Sequence, residues 1–395
     1  MKLEFTADDA LEWAVADSVG VSVIKARMER GERLVVKLGI DPTSPHVHLG
    51  RTLPLWRLRA FQELGHSIVF IIGDFTGQVG DTSDKESERP MLTAEEVGQN
   101  LQGYFEQVWK VLNPELRGQV TIRRNSEWLS GLTLADISQM ADSFSVNTFI
   151  KRELVAKRLG EGSRVSLREM LYPLMQGYDS VEVRADVELG GTDQRFNLLA
   201  GRTLQAKAGM PPQAIIMNPL LSGTDGRKMS SSWGNVISLT DSPTDLFGKV
   251  MSIPDTLIKE YLLFLPRSAQ PFTEQELGVQ LNVGQNPKDL KMELAHALVE
   301  LYFGASQADT ENSHFQNRFS KRQTDRTVKS QPGVTLFELV ATDPQWGQSR
   351  GELRRVFKGN GVEWDGAKVT DESFTVVSGT HSLKVGKHIL VTVVA

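Results

Sequence analysis

Residues 33–40 read RLVVKLGI, and residues 41–50 read DPTSPHVHLG. The first stretch is a β-branched apolar run ending in glycine, which predicts a buried strand. The second is a loop with two prolines, and an apolar-periodic helix from about Leu49 to Leu64 follows it. Gly65 stands where a C-cap glycine belongs. SIVFIIG (67–73) is apolar on both faces, as strands of a parallel sheet are. Thr93 and Glu96 have the spacing of a capping box and predict a helix carrying Val97, Leu101, Val108 and Leu112 along one side. QVTIRRN (119–125) predicts a third strand. Strand–helix–strand order of this kind belongs to a doubly wound parallel sheet.

From about Leu129 to Glu182 the pattern turns helical and basic, as an insertion between two sheet halves would. A strand (about 183–189), a helix (192–208) and a short strand (214–217) then resume the alternation. The stretch from about Pro243 to Phe303 is helical again. The last 60 residues change to a short helix with Arg354 and Arg355, followed by β-rich runs (GVEWDG, TVVSG, HILVTVV) split by glycine turns. The predicted fold class is therefore α/β. A Rossmann-like parallel sheet spans 1–240 with its helical insertion at about 129–182. An α-helical domain spans 241–317, a basic linker 318–330, and a small α+β module 331–395.

The 395 residues are 40% hydrophobic and 24% charged, an ordinary balance for a folded chain. No cysteine is present, which excludes thiol catalysis, disulfides and thiolate metal sites. The first twenty residues scatter five acids and offer neither the basic start nor the apolar core of a secretory signal. No apolar run reaches membrane-spanning length, so a cytoplasmic protein without a membrane partner is expected. Lys+Arg 44 against Asp+Glu 49 gives a net charge of −5. A nucleic-acid partner would have to be held by local patches. Two stretches qualify: Lys151, Arg152, Lys157, Arg158, Arg164 and Arg168, and later Arg318, Lys321, Arg322, Arg326 and Lys329. A solvated helix face and a linker would carry the same charges.

Two loops have the residue types of a phosphate site. Gly39-Ile40-Asp41-Pro42-Thr43 ends the first strand and runs on to His48-Leu49-Gly50 at a helix start. Ligands of open α/β sheets sit beyond the carboxyl ends of strands, and helix N-termini offer free N–H groups to anions. Gly226-Arg227-Lys228-Met229-Ser230-Ser231-Ser232 brings two cations and three hydroxyls on a glycine-flanked loop able to close over a triphosphate. Each loop alone also reads as an ordinary cap or surface turn. Tyr172, Gln176 and Asp179 stand at i, i+4 and i+7, so one helix face presents all three, either as a cavity wall or as an exposed stripe. Pro173 would kink that helix. Lys85 and Arg89 are four apart, two cations around an anion or a run paired with Glu86 and Glu88.

Together, His48-x-Gly50 and Lys228-Met229-Ser230-x-Ser232 resemble the two signatures of class I aminoacyl-tRNA synthetases, in their order and separation. LGIDPT, IIGDFTGQVGD with KESER, LYPLMQGYD and LGGTDQRFN, in that order, make the whole chain similar to the bacterial tyrosyl-tRNA synthetases. The resemblance implies a tyrosine site of Asp81 for the ammonium, Tyr172, Gln176 and Asn125 beside it, Asp179 for the phenol hydroxyl, and Gln194 to orient the substrate, with Lys37, Gly39 and Asp41 completing it. It implies an ATP site of Asp41, Thr43, His48, Gly50, Gly191, Asp193, Lys228, Met229, Ser230, Ser231 and Ser232. It gives catalytic parts to His48, Arg51, Thr43, Lys228 and Ser231, and to Lys85 and Arg89, which would meet departing pyrophosphate.

Three positions depart from the family pattern. Arg51 replaces the usual second histidine of the first signature, keeping a cation but not a compact neutral ring. Ser231 replaces the second lysine of the other signature, removing one cationic contact. Lys37 stands where many bacterial members have a tyrosine beside the phenol hydroxyl, and it would pair with Asp179.

The implied reaction activates L-tyrosine with ATP, accompanied by Mg²⁺, and transfers it to tRNA(Tyr). No carboxylate cluster in the sequence argues for a dedicated metal cage. In the tail, Ser349 to Phe357 followed by Gly361-Val362 and Asp365-Gly366 resembles the S4 RNA-binding module, which would offer Arg354 and Arg355 to tRNA beside Lys151, Arg152, Lys157 and Arg158. Family members are homodimers. Two other readings remain open: a tryptophan-specific relative, against which the Tyr178-Asp179 pair and GGTDQ speak, and a catalytically weak paralogue that only binds structured RNA, suggested by Arg51 and Ser231.

Overall fold

The computed structural model describes residues 3–81, 92–320, 327–342, 350–386 and 389–395. Lys85 and Arg89 lie outside the described residues. The chain divides into two units, Met1–Ala308 and Asp309–Ala395.

Six strands form the sheet of the first unit: β1 (Asp17–Val19), β2 (Val35–Ile40), β3 (Ser67–Ile72), β4 (Val120–Arg124), β5 (Val187–Gly191) and β6 (Ala214–Asn218). Their order is β1-β6-β5-β2-β3-β4. β2 to β6 are parallel, as expected from the two-sided apolar face of β3, although β4 at the edge is largely exposed. β1 adds an antiparallel edge against β6 that the acidic start of the sequence hides. The order reverses between β2 and β5, the switch point at which such sheets bind ligands. There the two strands pair only at Val36–Val187 and Lys37–Glu188, and then part.

Local signals set most helices. His48 starts a 3-10 turn (Leu49–Arg51) that passes into the Thr52–Glu63 helix, and Gly65 ends it with φ 87°. Thr93 and Glu96 close the expected capping box. The helix it opens stops at Leu101, however, and a second one covers only Tyr104–Val108. Gly103, at φ 69°, turns the chain between them, while Val97, Val108 and Leu112 still reach the core. The strand expected over 183–189 begins later, because the Leu167–Glu182 helix runs on to Glu182 and a left-handed Arg184 makes the turn. That helix carries Pro173 in its second turn without interruption. Gly177 lets it lie against the Arg195–Lys207 helix, since a Cβ there would come within 3.0 Å of the Ala200 carbonyl carbon.

Of the expected 241–317 domain, the helices from Pro243–Ser252 to Pro287–Phe303 belong to the first unit, whereas the Ala305–Ser320 helix crosses into the second. Trp56 donates to the Tyr302 hydroxyl at 3.3 Å across the two regions. The second unit holds the sheet β7 (Thr327–Lys329), β8 (Val362–Trp364), β9 (Ala367–Lys368), β10 (Thr380–Val385) and β11 (Ile389–Val394), ordered β7-β11-β10-β8-β9. Its helices Leu336–Thr342 and Arg350–Lys358 cover a core that includes Leu336, Phe357 and Leu383. Two expectations change here. Residues 327–329 are an edge strand rather than linker, and TVVSG contributes only a Thr335–Thr375 bridge, the six-residue run THSLKV being the strand instead. Among the described residues, no helix is long and apolar enough to cross a membrane.

Candidate active site

A cleft of about 1120 Å³ opens at the switch point. It is lined by the ends of β2 (Gly39, Asp41), β5 (Gly190, Gly191) and β6 (Asn218), by Tyr172, Gln176 and Asp179 of the 167–182 helix, and by the 228–233 loop. Thr43, His48, Gly50, Arg51, Asp81, Asn125, Asp193 and Gln194 also face it. The i, i+4, i+7 spacing thus forms a cavity wall, while Tyr178 of the same helix packs away from the cleft beside Met140 and Phe149.

At the closed end, Asp179 is buried. Trp128 Nε1 donates to its Oδ1 at 2.8 Å, and Asn125 Nδ2 donates to Oδ2 at 3.4 Å. Burial pushes this carboxyl up to about 7, with nearby Lys37 and the two donors pulling the other way. Asn125 is itself fixed, accepting from Phe75 N–H at 3.0 Å and donating to Thr76 Oγ1 at 2.9 Å.

Lys37 does not pair with Asp179 as expected. Its ammonium meets Glu188 Oε1 at 2.8 Å, Ser180 Oγ at 2.8 Å and the Gln176 carbonyl at 3.1 Å. The reason is register: Lys37 and Glu188 are facing residues on β2 and β5, so the side chains share one buried layer beneath the helix.

Midway along the cleft, Tyr172 donates its hydroxyl to Asp41 Oδ2 at 2.8 Å, and Thr76 Oγ1 donates to Asp41 Oδ1 at 2.8 Å. Burial and the surrounding carboxylates hold the Tyr172 phenol well above its ordinary range, so it remains a neutral donor. Gln194 Nε2 donates to Asp81 Oδ2 at 2.6 Å.

At the open end the first signature loop is stitched to the segment that follows the second. Leu49 N–H donates to the Ile237 carbonyl and Leu239 N–H to the Val47 carbonyl, at 2.8 and 2.9 Å. His48 is buried, and its Nδ1 has no hydrogen-bond partner among the described residues. Desolvation, with the charges of Arg51 and Lys228, lowers its pKa to about 3, so the ring is neutral. Gly50 leaves room for that ring, since a Cβ would sit 3.1 Å from it. Arg51 reaches Tyr104 OH at 3.2 Å and Thr43 Oγ1 at 3.5 Å. Lys228 Nζ donates to Asp193 Oδ2 at 2.9 Å. The loop is shaped by Asn235, which accepts from Ser230 N–H at 2.9 Å and donates to the Lys228 carbonyl at 3.1 Å. Ser231 is exposed, and the Ser230 and Ser232 hydroxyls are 2.9 Å apart.

A family model for class I tRNA synthetases (W and Y) matches residues 28–320. The tyrosine-tRNA ligase of Carboxydothermus hydrogenoformans is 42% identical over 93% of this chain and 91% of its own length. The chain belongs to the tyrosine-tRNA ligases of that class. The tyrosine-tRNA ligase of Thermotoga maritima is 40% identical over 94% of this chain and 93% of its own length. Among solved structures, a tyrosyl-tRNA synthetase complexed with L-tyrosine from Archaeoglobus fulgidus matches with a TM-score of 0.61 at 23% identity. It covers 77% of this chain and 98% of that one, a likeness of fold.

Of the residues that the resemblance to this synthetase family placed on tRNA, Lys151 and Lys157 are exposed, as are Arg354 and Arg355 in the second unit. Arg152 is half-buried with its guanidinium 4.7 Å from the Phe196 ring. Arg158 is not available for RNA. It is buried and bonded to Glu169 at 2.7 and 3.0 Å, because its helix turn faces the start of the 167–182 helix, where Glu169 closes a capping box with Ser166. Sequence reading missed Trp128, Thr76, Glu188 and Ser180. Only Glu188, a charge inside an apolar strand, carries a signal that could have drawn attention.

Proposed function

We propose that this cleft joins L-tyrosine to ATP and then to tRNA(Tyr), with the phenol at the Asp179 end and the phosphates between His48 and Lys228. The observation that carries the reading is the buried Asp179 carboxylate, whose two donors leave lone pairs free for a hydroxyl at the cleft's closed end. Asp81, Tyr172 and Gln176 hold the ammonium. Asp41 orients Tyr172, and Gln194 orients Asp81.

The tyrosine carboxylate is already a nucleophile, so activation needs no serine, cysteine or general base. It attacks the α-phosphorus, a new C–O–P linkage forms, and the bond to pyrophosphate breaks. The chain's contribution is positioning and stabilisation of charge on the pentacoordinate phosphorus and the leaving group. Neutral His48 donates a hydrogen bond to a phosphate oxygen, and Arg51, Lys228, Ser230 and Ser232 meet the growing negative charge. Thr43, Gly50, Gly191, Asp193 and Met229 shape the nucleotide's side of the cleft. Lys85 and Arg89 join as further cations on the sequence resemblance alone. Mg²⁺ enters as the counterion of ATP. In the second step the terminal ribose hydroxyl of the tRNA attacks the tyrosyl carbonyl, and AMP leaves.

The domain scheme assigns RNA contact to the S4-like module through Arg354 and Arg355, and to the insertion through Lys151, Arg152 and Lys157. The insertion also exposes Leu134, Val146, Leu159, Leu167 and Leu171, an apolar set fitting a homodimer interface. The working compartment is the cytoplasm, where tRNA and ATP meet. Tyrosine-dependent ATP–pyrophosphate exchange, run beside phenylalanine and tryptophan, tests the reading. Exchange driven by tyrosine alone supports it, and exchange with none of the three overturns it. Sedimentation at micromolar concentration tests the dimer, and a monomer overturns that part.

A further inference from the structure

Behind the phenol end of the cleft lies a closed polar layer that the synthetase chemistry leaves unexplained. Lys37 and Glu188 are both buried and face each other on β2 and β5. Glu188 Oε1 also accepts from Gln176 Nε2 at 3.3 Å, and Oε2 accepts from Ser180 Oγ at 3.0 Å and from Gln213 Nε2. Lys37 donates to the Gln176 carbonyl and to Ser180 Oγ. The layer therefore grips the 167–182 helix on both sides of Asp179. The Arg195–Lys207 helix seals it through Gly201, where a Cβ would come within 2.6 Å of Gln213 Nε2 and 2.9 Å of Ser180 Oγ.

A buried ion pair is weak as a source of stability, because desolvation of both charges offsets their attraction. Its location is what distinguishes this one. We propose that the Lys37–Glu188 pair is a positioning device for tyrosine selection, in which Lys37 braces the Gln176–Ser180 turn from behind and supplies the counter-charge that Asp179 needs to accept the phenol hydroxyl. Lys37 touches no substrate. The inference rests on the reading that Asp179 receives that hydroxyl.

Asp179 is faced by Lys37 from β2, Glu188 from β5 and Tyr172 from its own helix, while Trp128 and Asn125 contribute neutral donors. Lys37 favours the carboxylate and Glu188 opposes it. Removing either charge should therefore move the ionisation of Asp179 in opposite directions, an outcome that loss of a purely structural brace does not produce.

The test uses the full-length enzyme in tyrosine-dependent pyrophosphate exchange from pH 5.5 to 9. Lys37→Gln should shift the midpoint of tyrosine kcat/KM upward by about one pH unit, a roughly fivefold loss at neutrality that approaches tenfold toward pH 6 and recovers at high pH. Glu188→Gln should shift it downward, with the KM for ATP unchanged in both. Should Lys37→Gln fail to fold, the downward shift in Glu188→Gln still decides. Equal losses at every pH, with the midpoint fixed in the variants that fold, overturn the proposal. Asp179→Ala separates the two claims: retained preference for tyrosine over phenylalanine would remove the Asp179 reading itself, whereas lost preference with immobile midpoints removes only the role of Lys37.

Discussion

The indole N–H of Trp128 points at Asp179 across 2.8 Å, from a short helix (Ser126–Leu129) that begins where β4 ends. A hydrogen bond to a charged group contributes about 1.5–3 kcal/mol. Trp128→Phe keeps an aromatic ring and deletes the donor. The tyrosine KM should rise roughly 10-fold or more while kcat changes less. Steady-state pyrophosphate exchange checks this, and an unmoved KM would show that the indole only packs.

Asp179→Ala removes the acceptor itself. Phenylalanine leaves one acceptor position of the buried carboxylate unfilled, which is how enzymes of this same family reject it by about 10⁵. In the variant the ratio of tyrosine to phenylalanine kcat/KM should collapse toward single digits. Competitive exchange with both amino acids measures it.

The pH dependence follows from the sign of one shift. Asp179 is held up at about 7, so in the free enzyme it gains a proton as pH falls through neutrality. Tyrosine kcat/KM should fall below pH 7, whereas kcat at saturating tyrosine should hold further down, because the bound phenol favours the carboxylate. The linked stability effect has the opposite slope: between about pH 4 and 7 the folded state holds a proton that the unfolded chain has lost, so this group lowers stability as pH rises through that window. His48, depressed to about 3, loses stability as pH falls from about 6.5 toward 3, and it contributes no inflection to activity above pH 5. A pH profile of kcat/KM whose midpoint survives Asp179→Ala would refute the assignment.

Lys228→Ala deletes the charge that meets Asp193 at 2.9 Å in the resting cleft. Losing one charge-assisted donor at a reacting phosphate costs about 3–4 kcal/mol, or 10²–10³ in rate. Pre-steady-state adenylate formation should slow by that factor while tyrosine affinity, read by equilibrium binding, stays put. An undiminished burst would move the cation's role elsewhere.

Gly73→Ala tests the geometry around Asp41. A Cβ there would lie 1.9 Å from Asp41 Oδ1 and 2.4 Å from Thr76 Oγ1, so the carboxylate must swing away. Adenylate formation should drop at least tenfold while Tm moves by only a few degrees, since both displaced groups are side chains at the cleft wall. Calorimetry beside exchange kinetics separates the two effects.

Much of this site was legible in the chain because its parts are local. β2, the His48-x-Gly50 turn, the Thr93–Glu96 capping box and the Tyr172–Asp179 face each depend on residues within a few positions of one another. What escaped depends on long-range placement. Trp128 reads as one more core aromatic until the fold brings it to Asp179, 51 positions away. Lys37 was directed to Asp179 because both belonged to the same expected pocket, but strand register gives it Glu188 instead. Arg158 looked like part of a basic face, and only tertiary packing turns it inward to Glu169. The broken helix over 94–108 shows a glycine overriding an apolar period that continues on either side of it.

The parting of β2 from β5 after Lys37–Glu188 has a consequence for engineering. Ladder rungs that would have continued toward Asp41 and Gly191 are forgone, and the space they would have filled is where chemistry happens. Attempts to harden this protein by improving cohesion between those two strands should therefore yield a sturdier molecule with a shut door, whereas the distant edges of the sheet remain free for such work.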